Sequence, residues 1–423
     1  MTAEIAVMNK YGIALAADSA VSIGTRKIYN SANKLFALTK FHPVGVMVYG
    51  NAHFMGIPWE TIIKDYRINV LKSRQLPTVI AYMEELLEFL SRAPMFTDTG
   101  EAEFMQRFSV VMLMGLIDRI KGRVADIIRH EGKISDIQTR EFVNKLVKEW
   151  LDEQDAVPAG FPRGMRGTLD RKYGEMIESI SNDLFQALPI NRQLLSKVRT
   201  ALLDGVGRES NTLSPSGLVV AGFGENEIFP SVLSIKIDGK IGRHLRILKQ
   251  NIQSVSHDNT AVIVPFAQRE MVDLFMRGAD PQLQTAIYAA VGGILEKMDE
   301  ELTSCANVEL NEKARSSIAK KMAEIHSALF ERLENIQNRH FVRPVLSGVA
   351  SLPLDELAAM AESLVNLTTF KRRVTPVPES VGGPVDVAVI SKGDGFIWIK
   401  RKHYFSPDLN PHFFRQFSSK EIA

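Results

Sequence analysis

Short apolar runs separated by turn residues open the chain. Ala3–Asn9 is rich in apolar residues, Lys10-Tyr11-Gly12 supplies a turn, and Gly12–Ala17 is a second apolar run ending at Asp18. Runs of this length, bounded by glycine and polar residues, predict a β-hairpin with an acid at the exit of its second strand. A third run, 35–38, follows Lys34. After a Lys-Phe-His-Pro turn, the run 44–49 predicts another strand, closing at Gly50. From Trp59 onward the period changes. Segments 59–71, 79–91 and 103–130 carry apolar residues three and four apart, as at Ile117, Ile120, Val124 and Ile127, and 138–152 and 172–188 continue the pattern. That spacing lines one face of a helix, so the block is expected to be almost entirely helical. Residues 157–164 (Val-Pro-Ala-Gly-Phe-Pro-Arg-Gly) break it with a surface loop. Further on, Ile318, Met322, Ile325, Leu329, Leu333 and Ile336 recur at spacings of four or three. They predict a long amphipathic helix or helical hairpin packing on 286–302 of the same chain.

Composition narrows the class without naming a chemistry. The chain has 423 residues, 45% hydrophobic and 24% charged, with a net charge of +2. This balance is ordinary for a globular protein and gives no general electrostatic case for nucleic acid or an anionic membrane. The most apolar stretch, 108–117, is too short to span a bilayer. A single cysteine, Cys305, excludes an intramolecular disulfide and suits a reducing compartment, so a cytoplasmic location is expected. Histidines are scattered, with no His-Glu-x-x-His or Cys-x-x-Cys pair, no P-loop and no Gly-x-Ser-x-Gly elbow. No metal or cofactor is expected.

The candidate chemistry lies at the start. Thr2 is followed by a small residue, Ala3, which favours removal of Met1 and would leave a threonine with a free α-amine. Such a residue carries nucleophile and base together, because the hydroxyl attacks and the amine takes its proton. An α-amine has a pKa of about 7.7–8.0, so a useful fraction is unprotonated near neutrality. If the predicted strands lie side by side, Thr2, Asp18, Lys34 and Gly50 meet at one end of a sheet. Lys34 would favour the alkoxide, Asp18 would hold the buried ammonium, and the Gly50 N–H would face the developing oxyanion.

This register resembles the proteasome β-subunit family with its bacterial HslV-type relatives, within the N-terminal nucleophile hydrolases. The resemblance rests on Thr2, on the segment 12–19 ending Ala17-Asp18-Ser19, on Gly24, on Asn33-Lys34 and on Val48-Tyr49-Gly50-Asn51-Ala52. The segments 217–224 and 230–239 look like the family's central hairpin, 352–367 like its last core helix, and 381–390 like its closing glycine pair and strand. What the resemblance implies is an α+β fold, a four-layer αββα sandwich. Its core would comprise 1–56, 207–280 and 345–410. A helical insertion would occupy 57–206, a second one 281–344, and a tail 411–423. It further implies a threonine peptidase with Thr2, Asp18, Lys34 and Gly50 as catalytic residues. The groups that help orient the threonine amine in the family have Ser19, Gln268, Glu379 and Ser380 as their nearest polar counterparts here. Val21, Ala32, Phe36, Val48 and Ala52 fall where the family builds its substrate pocket, so an apolar side chain would be preferred. Expected partners are a peptide or protein substrate, further copies of the chain in a homo-oligomeric ring, and a separate ATPase. Two other functions remain open: an assembly or binding protein with weak catalysis, and a small-molecule amidase.

Overall fold

The computed structural model describes residues 2–23, 27–39, 42–155, 164–208, 213–298, 311–375 and 381–412. The chain is α+β, with antiparallel sheets. Fourteen strands are described: β1 (Ala3–Asn9), β2 (Gly12–Ala17), β3 (Val21–Ile23), β4 (Lys27–Tyr29), β5 (Leu35–Ala37), β6 (Val44–Gly50), β7 (His53–Phe54), β8 (Ile57–Pro58), β9 (Ser216–Gly222), β10 (Ser231–Ile241), β11 (His244–Ser254), β12 (Ala261–Ala267), β13 (Asp386–Ser391) and β14 (Gly395–Lys400). Ten of them build two five-stranded sheets, ordered β12-β1-β2-β13-β14 and β11-β10-β9-β6-β5. The strands β1 and β2 are buried at every position, β1 because chain packs on both faces of its sheet. That is why the sequence shows continuous apolar runs there rather than alternation.

Side-chain parity assigns the faces. Ala6, Met8, Ile13 and Leu15 of the first sheet share a core with Met47, Val219, Ala221 and Val232 of the second. The opposite parity, Ile5, Val7, Ala14 and Val389, packs on Leu357, Ala361 and Leu364 of the Leu354–Val374 helix. The outer face of the second sheet (Val44, Val46, Leu218, Val220, Leu233) is covered by Trp59, Ile62, Tyr66, Tyr82 and Leu86. These come from the helix Trp59–Asp65, the π-helical turn Tyr66–Leu71 and the helix Val79–Arg92.

The helical block has its own core. Phe108, Leu113 and Ile117 of Asp98–Glu131 meet Val147 of Asp136–Asp155, Ile177 of Met165–Phe185 and Leu202 of Arg192–Gly205. Helix starts follow capping chemistry, with the Thr97 side chain accepting from the Gly100 N–H and Asn191 from that of Gln193. The Gly/Pro loop at 157–164 lies outside the described residues except for Gly164, as do Cys305 and Gly24. The stripe at 318–336 falls within one helix, Glu312–Gln337, which lies against Pro281–Glu296 in the same chain. The rings of Tyr288 and Phe330 are 3.9 Å apart there.

Candidate active site

Thr2 precedes β1 and is 3% exposed. Its carbonyl accepts the Gln268 N–H at 3.3 Å, which extends the β1–β12 ladder past Ala3↔Ala267. Ala267 adopts φ +61°, an uncommon left-handed conformation for a residue with a side chain. It lies where β12 ends and Gln268 begins.

Asp18 leaves β2 beside this end of β1. It is fully buried, and its carboxylate is saturated with donors. Oδ1 accepts from the Ala3 N–H at 3.0 Å, and Oδ2 from the N–H groups of Ala20 at 3.2 Å and Gly382 at 3.0 Å. Lys34 arrives from the second sheet, just before β5, and the Val48 N–H donates to its carbonyl at 2.9 Å. Its Nζ lies 2.7 Å from Asp18 Oδ1 and donates to Thr2 Oγ1 at 3.1 Å. Lysine, aspartate and threonine hydroxyl thus form one buried chain that bridges the two sheets.

The other expected site residues fall as follows. Gly50 ends β6, two residues beyond Val48, at φ +79°; a side chain there would meet the Pro215 carbonyl at 2.3 Å, so only glycine fits. Ser19 is buried, its N–H donating to the Gly382 carbonyl at 3.0 Å and its hydroxyl to the Pro384 carbonyl. Gln268 is buried, and its Oε1 accepts from Arg372 Nε at 2.6 Å. Glu379 and Ser380 lie outside the described residues. Phe36 and Val48 pack into the core under the Trp59–Asp65 and Val79–Arg92 helices, whereas Val21, Ala32 and Ala52 are half-buried. An open cleft of about 340 Å³ lies beside Phe266 and Ala267, walled by Tyr49, Lys236, Lys249 and Arg269.

One residue was not anticipated from the sequence. Glu4 occupies the next position of Thr2's parity on β1, opposite Ala17 and Phe266, and is 2% exposed. Neither of its carboxyl oxygens has a hydrogen-bond partner. Burial raises its pKa well above the ordinary carboxylate range; the Lys34 charge opposes that rise and the Asp18 charge adds to it. Burial, with the Glu4 charge, also pushes the neighbouring Tyr49 phenol up to about 12. The sequence did hold a signal, an acid set among the apolar residues 3–8.

Among the described residues no cluster of three or more metal-ligating side chains occurs, and no helix is long and apolar enough to cross a membrane. No family model matches the chain, nor does any curated protein. Solved structures do. The chain is similar to an Anbu (Gly-1) mutant from Hyphomicrobium sp. strain MC1 at 11% identity, covering 99% of this chain and 97% of that one, with a TM-score of 0.30. It is also similar to Anbu, described as an ancestral beta-subunit, from Yersinia bercovieri, at 11% identity, 99% and 93% coverage and a TM-score of 0.30. A further Anbu structure from Hyphomicrobium sp. strain MC1 matches at 10% identity, 98% and 97% coverage and a TM-score of 0.29. These neighbours correct the family expected from the sequence: they are Anbu proteins, not proteasome β-subunits or HslV-type chains. At such identities and TM-scores they lend no weight to any residue or activity, and the site is read from its own geometry.

Proposed function

We propose that the chain, once Met1 is removed, is an N-terminal threonine hydrolase of amide bonds, with peptides as substrate. One observation carries this reading: a buried lysine ammonium lies 3.1 Å from the Thr2 hydroxyl and 2.7 Å from a buried aspartate. In this reading the helix- and sheet-lined layers form an αββα N-terminal-nucleophile sandwich from 1–56, 207–280 and 345–410, with helical insertions at 57–206 and 281–344. The Thr2 hydroxyl attacks the carbonyl carbon and passes its proton to its own α-amine. Lys34, held by Asp18, stabilises the oxygen as it loses that proton, and the Gly50 N–H receives the carbonyl oxygen as it becomes an oxyanion. The amine then protonates the leaving nitrogen. The resulting ester between Thr2 and the acyl group is hydrolysed by water, which restores the hydroxyl. The cleft beside Phe266 and Ala267 would take the peptide, and copies of the chain would assemble into a homo-oligomer.

Intact mass after treatment with a peptide epoxyketone tests the mechanism, because that reagent needs both the hydroxyl and the free amine of a terminal threonine. A single adduct on the Thr2-terminated chain, absent from Thr2→Ala, is the expected result. An unmodified wild-type chain with Met1 removed would sink it. A second reading, an assembly protein without turnover, draws on the apolar surface of the Pro281–Glu296 and Glu312–Gln337 helices, neither of which buries a residue. It would be favoured if the chain assembles yet forms no adduct.

A further inference from the structure

A terminal threonine that is its own base needs its amine held so that the nitrogen lone pair faces the hydroxyl. Free rotation about the N–Cα bond otherwise aims it elsewhere, and a misdirected base loses most of its effect. In the described residues Lys34 and Asp18 engage the hydroxyl and the Ala3 N–H, not the Thr2 nitrogen. Gln268 meets Thr2 through its backbone N–H, while its side-chain oxygen is taken by Arg372.

Among the described residues near Thr2, Glu4 has both carboxyl oxygens without a hydrogen-bond partner. Successive side chains alternate across a strand, so Thr2 and Glu4 project from the same side of the β1 direction, with Cα atoms about 6.6 Å apart, and a glutamate leaning along the strand covers most of that spacing. The parity that continues from them, Ala6 and Met8, enters the core between the sheets. The charged and titratable groups facing Glu4 are Asp18 from the end of β2, Lys34 from before β5 and Tyr49 from β6; Phe266 of β12, directly opposite, is apolar. Carboxyl groups are rarely buried without a partner, and burying one unpaired is costly. Both oxygens of Glu4 are nevertheless unpaired at 2% exposure, two residues along the chain from the nitrogen that removal of Met1 would free.

We propose that Glu4 is a positioning residue for the terminal amine: its carboxylate accepts a hydrogen bond from the Thr2 α-amine released by loss of Met1, which turns the lone pair toward the Thr2 hydroxyl. This deepens the hydrolase reading and rests on it for its catalytic meaning, although the contact itself does not need turnover. The pair titrates as a unit. Burial favours the neutral Glu4 acid, while the Lys34 charge and the released amine oppose that rise; as the carboxylate, Glu4 raises the amine's pKa and the Lys34 charge lowers it. The working base is the neutral amine, so the acid limb of kcat/KM follows that pKa.

The test uses the chain beginning at Thr2, as wild type, Glu4→Gln and Glu4→Met. The pKa of the α-amine is read from the pH dependence of its labelling by an acylating reagent, located by mass on the first residue. The amine pKa is expected to fall by half a unit or more in both variants. The acid limb of kcat/KM should move down with it, and kcat should drop at least tenfold with KM unchanged, more in Glu4→Met than in Glu4→Gln, whose amide oxygen can still accept a hydrogen bond. Thermal unfolding confirms that both variants are folded. An amine pKa within 0.2 unit of wild type in both folded variants would overturn the proposal. If wild type forms no epoxyketone adduct while the variants still shift the amine pKa, the hydrolase reading fails and the Glu4–amine contact stands.

Discussion

Asp18 and Lys34 form one buried ion pair, but their removal should have unequal consequences. Without the Lys34 ammonium, Asp18 keeps three backbone donors, from Ala3, Ala20 and Gly382. Without the Asp18 carboxylate, the Lys34 ammonium, 4% exposed, faces the neutral Thr2 hydroxyl and the unpartnered Glu4. An uncompensated buried charge costs about 3–5 kcal/mol, so Asp18→Ala is expected to lose that much in urea unfolding and Lys34→Met clearly less. The reverse order would show that the backbone donors do not sustain the carboxylate. Activity should not follow the same order: Lys34→Met is expected to cut kcat for a peptide amide by about 10²–10³, as loss of a charge-stabilising group does at a forming oxyanion. Much of this residue-level picture was legible in the chain. Acids and bases at strand exits, in register with Thr2, can meet at one sheet end, and here Thr2, Asp18 and Lys34 do. What was hidden needed the fold. The Gly382 N–H reaches Asp18 from 364 residues away. Glu4 sits in a strand whose two faces are both covered, so no alternation marks which way it points. Phe36 and Val48, which the family resemblance put at a substrate pocket, pack toward the helices.

Between elements, two buried charged groups tie the helical block to the β10–β11 hairpin. Arg246 on β11 grips Asp238 on β10 through two bonds of 2.8 and 3.1 Å, donates to the Gly205 and Val206 carbonyls at the end of the Arg192–Gly205 helix, and packs on the Phe108 ring at 5.0 Å. Both side chains are almost wholly buried, at 2% and 0% exposure. Arg246→Ala is expected to cost about 3–5 kcal/mol, since it strands a buried carboxylate. Arg246→Lys should recover only part of this, because an ammonium cannot reproduce the two-pronged contact. Urea unfolding of both variants measures the difference, and equal stability of Arg246→Lys and wild type would refute the two-pronged account. Glu101 is the second tie. It accepts from the Tyr173 hydroxyl at 2.5 Å, the Gly242 N–H at 2.6 Å and Lys172 Nζ at 3.0 Å. Burial alone would raise its pKa, but these three donors outweigh it and hold the carboxyl below its ordinary value. A depressed folded-state pKa means stability that is fully present above the unfolded value of about 4.3 and is lost as pH falls through the lower folded value. The melting temperature of Glu101→Gln should therefore lie below wild type at pH 7, with the gap closing below pH 4; a gap that stays constant with pH would exclude the charge as its origin. Helix positions here were readable because three-four spacing survives in a block with one buried face. The ties were not, since nothing local distinguishes Glu101 or Arg246 from the solvated charges around them.

At the scale of the whole molecule, the paired helices Pro281–Glu296 and Glu312–Gln337 leave an energetic question that the monomer does not answer. They hold each other through Tyr288 on Phe330 and through Gln284 Nε2 donating to Gln337 Oε1 at 3.1 Å. Yet Leu283 is 59% exposed, Ile287 48%, Ile294 66% and Ile325 44%. Exposed contiguous apolar patches beyond a few hundred Å² are uncommon on monomers and mark interaction surfaces. A branched aliphatic side chain contributes about 1.5–3 kcal/mol when fully buried. In a two-fold interface each one counts on both subunits, because the same patch meets itself. If the proposed homo-oligomer closes through this hairpin, replacing Ile287 and Ile294 together by glutamate removes burial at four places and sets like charges against each other. The expected result is wild-type mass above that of a single chain by light scattering at micromolar concentration, and single-chain mass for the double variant. The melting temperature should fall only by the part owed to assembly, which makes it concentration-dependent in wild type and not in the variant. A wild-type chain that is monomeric throughout that range, or a double variant of unchanged mass, would remove the hairpin from the interface. The epoxyketone adduct supplies the discriminating measurement, because Thr2, Asp18 and Lys34 all lie within one chain. A dissociated variant that still forms the adduct places chemistry in the sheets and assembly in the helices; one that loses it while folded means that the neighbouring copy is needed to hold the site in its working form.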